Sequence, residues 1–285
     1  RLAFLGTPQI AVPALRALVG AGHDVALVVS RADKRRGRRG SPAPSPVKAA
    51  ALDLGLPVTD QLDDVVDAGV ELGIVVAYGR IVPRRVLAAV PMVNLHFSLL
   101  PRWRGAAPVE RAILAGDRET GVCLMGLEEG LDTGPVHRRS VRPITPITTA
   151  ASLADALADD AAHLLLDGLE AGLVDPEPQE GEVTYADKLD ADDRHLDWSE
   201  PAAQLDRVVR IGNAWTTFRG ARLKVHVARP TNHGDLHAGE IDGTLVGTGD
   251  GALDLVEVQP EGRGRMAASA WRNGAQPADH ERLGS

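Results

Sequence analysis

The chain has a single cysteine, Cys123, among 285 residues. An internal disulfide and a cysteine-based zinc cluster are therefore excluded, and a lone thiol suits a reducing, cytoplasmic setting. Aromatic residues make up 3%, so any core must be built from Val, Leu, Ile and Ala. No apolar run approaches the roughly 18 residues that would suggest a membrane span. No charged-then-apolar signal segment opens the sequence, and no membrane role is expected. The net charge is −8, which argues against a globally basic nucleic-acid binder but leaves room for a local basic patch. The first apolar run ends in Gly6 without a G-x-G-x-x-G fingerprint, so a nicotinamide cofactor is not expected. There is no G-x-S-x-G, and Cys123 falls mid-strand, so no nucleophilic Ser or Cys is in evident position. The nine histidines show no ligand spacing with the cysteine, and no metal is expected.

What is present is ordinary in bulk. Hydrophobic residues are 44% and charged residues 25%, and the length favours two domains. Residues 2–5 read as a short buried strand. Thr7-Pro8 then opens a helix, and 24–30 form a second strand, a βαβ start that implies a parallel sheet. Residues 72–77 are a continuous apolar run, as a central parallel strand requires. Residues 120–127 and 135–141 alternate and suggest an antiparallel pair; 151–173 carry leucines at helical spacing. From about 175 to 202 acidic residues, Pro and Gly dominate, as in a linker. Beyond it, short strand-like pieces with Gly-rich turns suggest a small β-barrel. The expected domains are 1–174, a linker 175–202, and 203–285.

Two stretches carry chemistry. Residues 31–46 hold Arg31, Lys34, Arg35, Arg36, Arg38 and Arg39 against one carboxylate, Asp33. Glycines and prolines keep this loop irregular. A charge run is often only a solvated face, but one this dense between ordered elements fits phosphate-backbone binding better. The other stretch is Val93-Asn94-Leu95-His96-Phe97-Ser98-Leu99-Leu100-Pro101-Arg102-Trp103-Arg104-Gly105-Ala106-Ala107-Pro108. Asn94 and His96 are two apart on a strand, so their side chains share a face at the carboxyl end of the sheet, where ligands bind. Asp132 lies in a Gly-flanked loop, Gly130-Leu131-Asp132-Thr133-Gly134. Each of the three alone has a plain structural explanation: a core histidine, a turn asparagine, a turn aspartate. Together they can run direct acyl transfer to an amine. An amide donates to a developing oxyanion, an imidazole shuttles a proton, and a carboxylate orients the imidazole.

These residues bring a resemblance with them. Phe4-Leu5-Gly6-Thr7-Pro8, Pro44-Ser45-Pro46-Val47-Lys48, Val75-Val76-Ala77-Tyr78-Gly79, the string Ser98–Pro108, Gly130–Gly134 and Val183-Thr184-Tyr185-Ala186-Asp187-Lys188-Leu189 resemble the methionyl-tRNA formyltransferases of the folate-dependent formyltransferase superfamily. The resemblance covers nearly the whole chain. It implies an α/β fold, an N-terminal doubly wound, Rossmann-like, mostly parallel sheet, and a C-terminal OB-like β-barrel that binds tRNA. It implies 10-formyltetrahydrofolate as formyl donor and the α-amino group of initiator methionyl-tRNA as acceptor, with no metal. The family's catalytic trio falls on Asn94, His96 and Asp132. The folate would lie along Ser98, Leu99, Leu100 and Pro101 and against Val76, Ala77, Tyr78 and Gly79. The basic loop matches the family's tRNA-entering insertion, and Arg38 falls on its characteristic arginine. A monomer is the default expectation.

Two rivals follow from the same residues. A formyltransferase acting on an amino-sugar nucleotide or other small amine would share the trio but would not need the basic loop. A non-catalytic tRNA-binding protein would need none of the trio.

Overall fold

The computed structural model describes residues 1–35, 41–232 and 235–284. In chain order the N-terminal part runs β1 (Leu2–Gly6), α1 (Val12–Gly20), β2 (Val25–Val29), β3 (Lys34–Arg35), β4 (Pro42–Ala43), α2 (Pro46–Asp53), β5 (Val58–Thr59), α3 (Asp64–Asp67), β6 (Leu72–Val76), α4 (Arg84–Ala89), β7 (Met92–His96), β8 (Arg104–Gly105), α5 (Pro108–Ala115), β9 (Glu119–Gly126), β10 (Val136–Pro143), α6 (Ala150–Glu170) and β11 (Tyr185–Ala186). Then come α7 (Ala202–Arg210), β12 (Ala214–Phe218), β13 (Ala221–Thr231), β14 (Ile241–Asp242), β15 (Leu245–Gly247), β16 (Ala252–Pro260), β17 (Met266–Ala267) and α8 (Ala268–Ala275).

Two compact units result. One holds Arg1–Val109, Arg118–Pro143 and Leu153–Asp187; the other holds Glu110–Asp117, Ile144–Ser152 and the residues from Lys188 on. In the first, a seven-stranded sheet has the order β10-β9-β7-β6-β1-β2-β5. The strands β5, β2, β1, β6 and β7 are parallel, and β9 and β10 extend the sheet antiparallel. All of β1 and β7 is buried, as strands covered on both faces must be. On one face Leu5, Val29, Val75, Val65, Val86 and Met92 join in one apolar cluster. The chain crosses from one side of β1 to the other between β2 and β6, so the strand order reverses beside β1. In open parallel sheets the carboxyl ends of the strands at such a point form the ligand crevice.

Helix starts follow local chemistry. Ser45 caps α2: its Oγ accepts from Lys48 N at 3.0 Å, and Pro46 takes the first helical position, where its missing N–H costs nothing. Two sequence expectations change. The basic loop is not wholly irregular, because β3 and β4 pair antiparallel, Lys34 with Ala43 and Arg35 with Pro42. Pro42 is tolerated there because a two-stranded ribbon has only edges. The other is the final helix α8, for which the sequence pattern gives no signal.

The second unit is an antiparallel sheet, β12-β13-β16-β15-β14 with β17 on β16. Strand β13 carries bulges between Val225 and Val227 and between Val227 and Ala228, the device that bends and twists an antiparallel strand. Its core gathers Trp198, Leu205, Val209, Val225, Leu255 and Trp271.

Candidate active site

The site is built at the carboxyl end of β7. The register pairs Val75 with Asn94 on one side and Asn94 with Met125 on the other. Asn94 and His96 are therefore held mid-sheet, and both are buried. The strand stops after His96, and the following loop folds back over it. Ser98 Oγ donates to the carbonyl of Arg102 at 2.5 Å and lies 3.5 Å from that of Trp103. His96 Nε2 is 2.8 Å from the same Trp103 carbonyl. A carbonyl only accepts, so the hydrogen of the imidazole sits on Nε2, and Nδ1 is turned to Asp132 Oδ2 at 3.6 Å. Trp103 reaches this position with a φ of 63°, a left-handed conformation that a bulky residue takes only when its surroundings impose it.

Asp132 is held from several sides. Its Oδ2 accepts from Gly105 N at 2.8 Å, and Asn94 Nδ2 approaches Oδ1 at 3.4 Å. Its own backbone is left-handed, φ 50°, which aspartate tolerates better than most. The loop closes at Gly134, where any Cβ would overlap the Gly126 carbonyl oxygen, so only glycine lets the chain re-enter β10 here. Asp132 thus sits in a turn, and its carboxylate also faces Asn94 and His96.

The segment 175–187 takes part as well. Gln179 Nε2 donates to the carbonyls of Asp132 and Gly134, each at 2.8 Å, while Arg104 Nε and Nη2 donate to its Oε1 at 3.1 and 2.7 Å. Thr184 Oγ1 accepts from Trp103 N at 2.9 Å, and β11 pairs with β8 in parallel. Glu177 bridges Val136 with hydrogen bonds of 2.7 and 2.9 Å. These residues, together with the Gly105 amide and the Trp103 carbonyl, are the ones that sequence reasoning missed. Trp103, Arg104 and Gly105 lie inside the Ser98–Pro108 string and Thr184 inside the 183–189 string; Glu177 and Gln179 carried no signal.

The remaining expected residues can be placed. The loop of Ala77, Tyr78 and Gly79 leaves β6 next to β7; Ala77 and Gly79 have φ of 46° and 76°, and Thr7 Oγ1 donates to the Tyr78 carbonyl at 3.2 Å. Burial pushes the Tyr78 phenol above its ordinary value, against the pull of Arg80, whose Nη1 lies 3.3 Å from the hydroxyl. Val76, Ser98, Leu100 and Pro101 are buried, and Leu99 is half-buried. Under the loop, Leu100 packs with Cys123, Met125 and Val136, and Leu100 N points at Cys123 Sγ at 3.4 Å. Burial raises the Cys123 thiol, so it is a packing residue and a weak nucleophile. Arg31, Lys34 and Arg35 are exposed. Arg36, Arg38 and Arg39 lie outside the described residues. Among the described residues no group of three or more His, Cys, Asp or Glu is arranged to hold a metal ion, and no helix is long and apolar enough to cross a membrane.

A buried amide, an imidazole and a carboxylate thus meet at the parallel-sheet crevice. Comparison with known proteins places the whole chain in a family. The Formyl transferase family matches residues 1–169, and its C-terminal domain matches residues 188–276. The chain belongs to the formyl transferase family. Its relatives include the methionyl-tRNA formyltransferase of Heliobacterium modesticaldum, 43% identical over an alignment 315 positions long that covers 100% of each chain. Among solved structures, an N-formyltransferase from Helicobacter canadensis, in complex with folinic acid and dTDP-3-aminofucose, superposes with a TM-score of 0.71 at 18% identity, covering 91% of this chain and 98% of that one. HypX from Aquifex aeolicus, in complex with tetrahydrofolic acid, gives a TM-score of 0.67 at 18% identity over 99% of this chain, which spans only 48% of that one. The two structures share a fold with this chain.

Proposed function

We propose that this chain formylates the α-amino group of methionine esterified to initiator tRNA, with 10-formyltetrahydrofolate as the donor, in the cytoplasm. The observation that carries the reading is the meeting of Asn94, His96 and Asp132 at the end of β7, in a chain whose relatives over its full length are methionyl-tRNA formyltransferases. The donor supplies an activated formyl carbon. The acceptor nitrogen bonds to that carbon, the bond from the formyl carbon to the folate nitrogen breaks, and one proton passes from the amine to the departing nitrogen. Asn94, which has a second amide hydrogen besides the one facing Asp132, and protonated His96 stabilise the developing oxyanion. Asp132 holds the imidazole in place from the Nδ1 side and helps move the proton.

Val76, Ala77, Tyr78 and Gly79 fit a flat, polar-edged heterocycle. Their loop presents backbone groups in left-handed geometry above a buried apolar floor. Ser98, Leu99, Leu100 and Pro101 form the facing wall of the donor site. The six cations between Arg31 and Arg39 supply phosphate contacts for the tRNA, and the C-terminal unit adds a second contact for the acceptor stem. The chain works as a monomer, with residues 1–174 as catalytic domain and 203–285 as tRNA-binding domain; within the expected linker 175–202, residues 177–186 are fastened to the catalytic site.

The deciding experiment offers the enzyme and formyl donor three acceptors: charged initiator tRNA, free methionine and an amino-sugar nucleotide. The expected product is formylated methionyl-tRNA, with little transfer to the other two. Preference for the sugar nucleotide would overturn the substrate assignment, and tRNA binding without turnover would overturn catalysis.

A further inference from the structure

We infer that Gln179 is a positioning residue for formyl transfer, acting through Asp132; the inference rests on the catalytic reading of Asp132 given above. Gln179 lies between the two family matches, which end at residue 169 and resume at 188. It sits in a stretch whose composition looks like a tether. Yet its side chain uses its whole hydrogen-bonding capacity. The two amide hydrogens go to the carbonyls of Asp132 and Gly134, and both lone pairs of Oε1 receive Arg104. The partners also fix which end of the amide is which. A flipped amide would set its oxygen against two carbonyls and its nitrogen against a guanidinium.

The placement matters because the two stretches it joins are the ones that hold the Asp132 carboxylate. Arg104 precedes Gly105, whose N–H is the 2.8 Å donor to Asp132 Oδ2. Asp132 and Gly134 bracket the left-handed turn that aims that carboxylate at His96 Nδ1, 3.6 Å away. Gln179 thus spans the donor strand and the acceptor turn. It sets the separation on which the carboxylate–imidazole contact depends. Gln179 touches neither Asn94 nor His96 in any hydrogen bond, so its influence on the chemistry runs through Asp132. The neighbouring bridge between Glu177 and Val136 keeps the backbone at this spot fixed to β10.

The test compares Gln179→Glu and Gln179→Leu with the wild type, in steady-state kinetics on charged initiator tRNA, each in wild-type and Asp132→Asn backgrounds. Gln179→Glu keeps the acceptor for Arg104 but cannot donate to the two carbonyls; Gln179→Leu loses everything. Should one variant fold poorly, the other decides. The expected result is a fall in kcat of roughly ten- to hundredfold in both variants, the size expected of a displaced catalytic group, with KM for both substrates within about twofold. In the Asp132→Asn background the same changes should lower kcat by less than about twofold more, because the group being positioned is already gone. Wild-type kcat in the Gln179 variants, an effect on KM alone, or equal losses in the two backgrounds would each overturn the inference. If Asp132→Asn itself turns over at the wild-type rate, the reading of the trio fails and takes this inference with it. A dead Asp132→Asn beside fully active Gln179 variants overturns this inference alone.

Discussion

Buried polar groups are handled differently in the C-terminal unit and at the end of β7. Among the described residues of the C-terminal unit, each buried polar side chain has a close partner of its own. Trp198 Nε1 donates to Thr216 Oγ1 at 3.0 Å, Arg210 Nε meets Asp206 at 2.8 Å, and Glu240 Oε1 meets His280 Nδ1 at 2.6 Å. Burial pushes the Asp206 carboxyl up, and Arg210 works against that. At the end of β7, by contrast, Asn94 and His96 approach Asp132 only to 3.4 and 3.6 Å, while Asp132, Ser98 and His96 are tied tightly to backbone groups around them. A pair closed on itself stabilises a fold. Groups anchored from behind, with long contacts to one another, are free to tighten on something that enters, as catalytic contacts do when substrate binds.

The largest effect should come from the open cluster. Asn94→Ala, His96→Ala and Asp132→Ala should each lower kcat about 10²- to 10³-fold, with circular dichroism still showing a folded chain. Near-normal turnover in any one would move that residue to the structural side of the contrast. Next, a closed pair should respond in stability alone. Thr216→Val orphans the buried Trp198 N–H and should cost about 1–3 kcal/mol in urea unfolding while kcat stays at the wild-type value. A kcat loss comparable to that of the trio would erase the distinction.

A smaller change is expected from Arg35→Ala on the exposed β3 arm. If Arg35 meets a phosphate, the slope of log affinity for tRNA against log salt should become shallower by about 0.7–0.9. An unchanged slope would leave Arg35 as a solvated surface cation. The smallest is a pH effect on the Glu240–His280 pair. Its hydrogen bond to His280 holds the Glu240 carboxyl below its ordinary 4.5, and the same bond from Glu240 holds the His280 imidazole above its ordinary 6.5. Glu240 contributes stability above 4.5 that is lost as pH falls through its lowered value, and His280 contributes below 6.5 what is lost as pH rises through its raised value. Melting temperature plotted against pH should thus lose both shoulders in Glu240→Gln. A curve parallel to that of the wild type would show that the exposed imidazole adds nothing.

What the sequence made legible follows from the range of the interactions. The parallel strands could be read because burial on both faces leaves continuous apolar runs such as Leu72–Val76. Asn94 and His96 share a face by strand period alone. Asp132 could be joined to them only as part of a constellation, since its contact partners lie 38 and 27 positions away along the chain. Gln179 could not be found at all. Its partners are 45, 47 and 75 positions distant, and two-residue strands such as β8 and β11 are too short to show a period. The helix α8 was hidden by Asn273 and Gly274, poor helix formers that tertiary packing of Ala268 and Trp271 overrides.

The participation of residues 177–186 in the site also sets an order in time. A chain emerging from the ribosome completes the last strand of its sheet at Pro143, and by then it has made Asn94, His96 and Asp132. The groups that fasten the Asp132 turn and the Trp103 loop, Gln179 and Thr184, are synthesised some forty residues later. At about 5–20 residues per second, the ribosome therefore makes every strand of the sheet a few seconds before the groups that fasten the site.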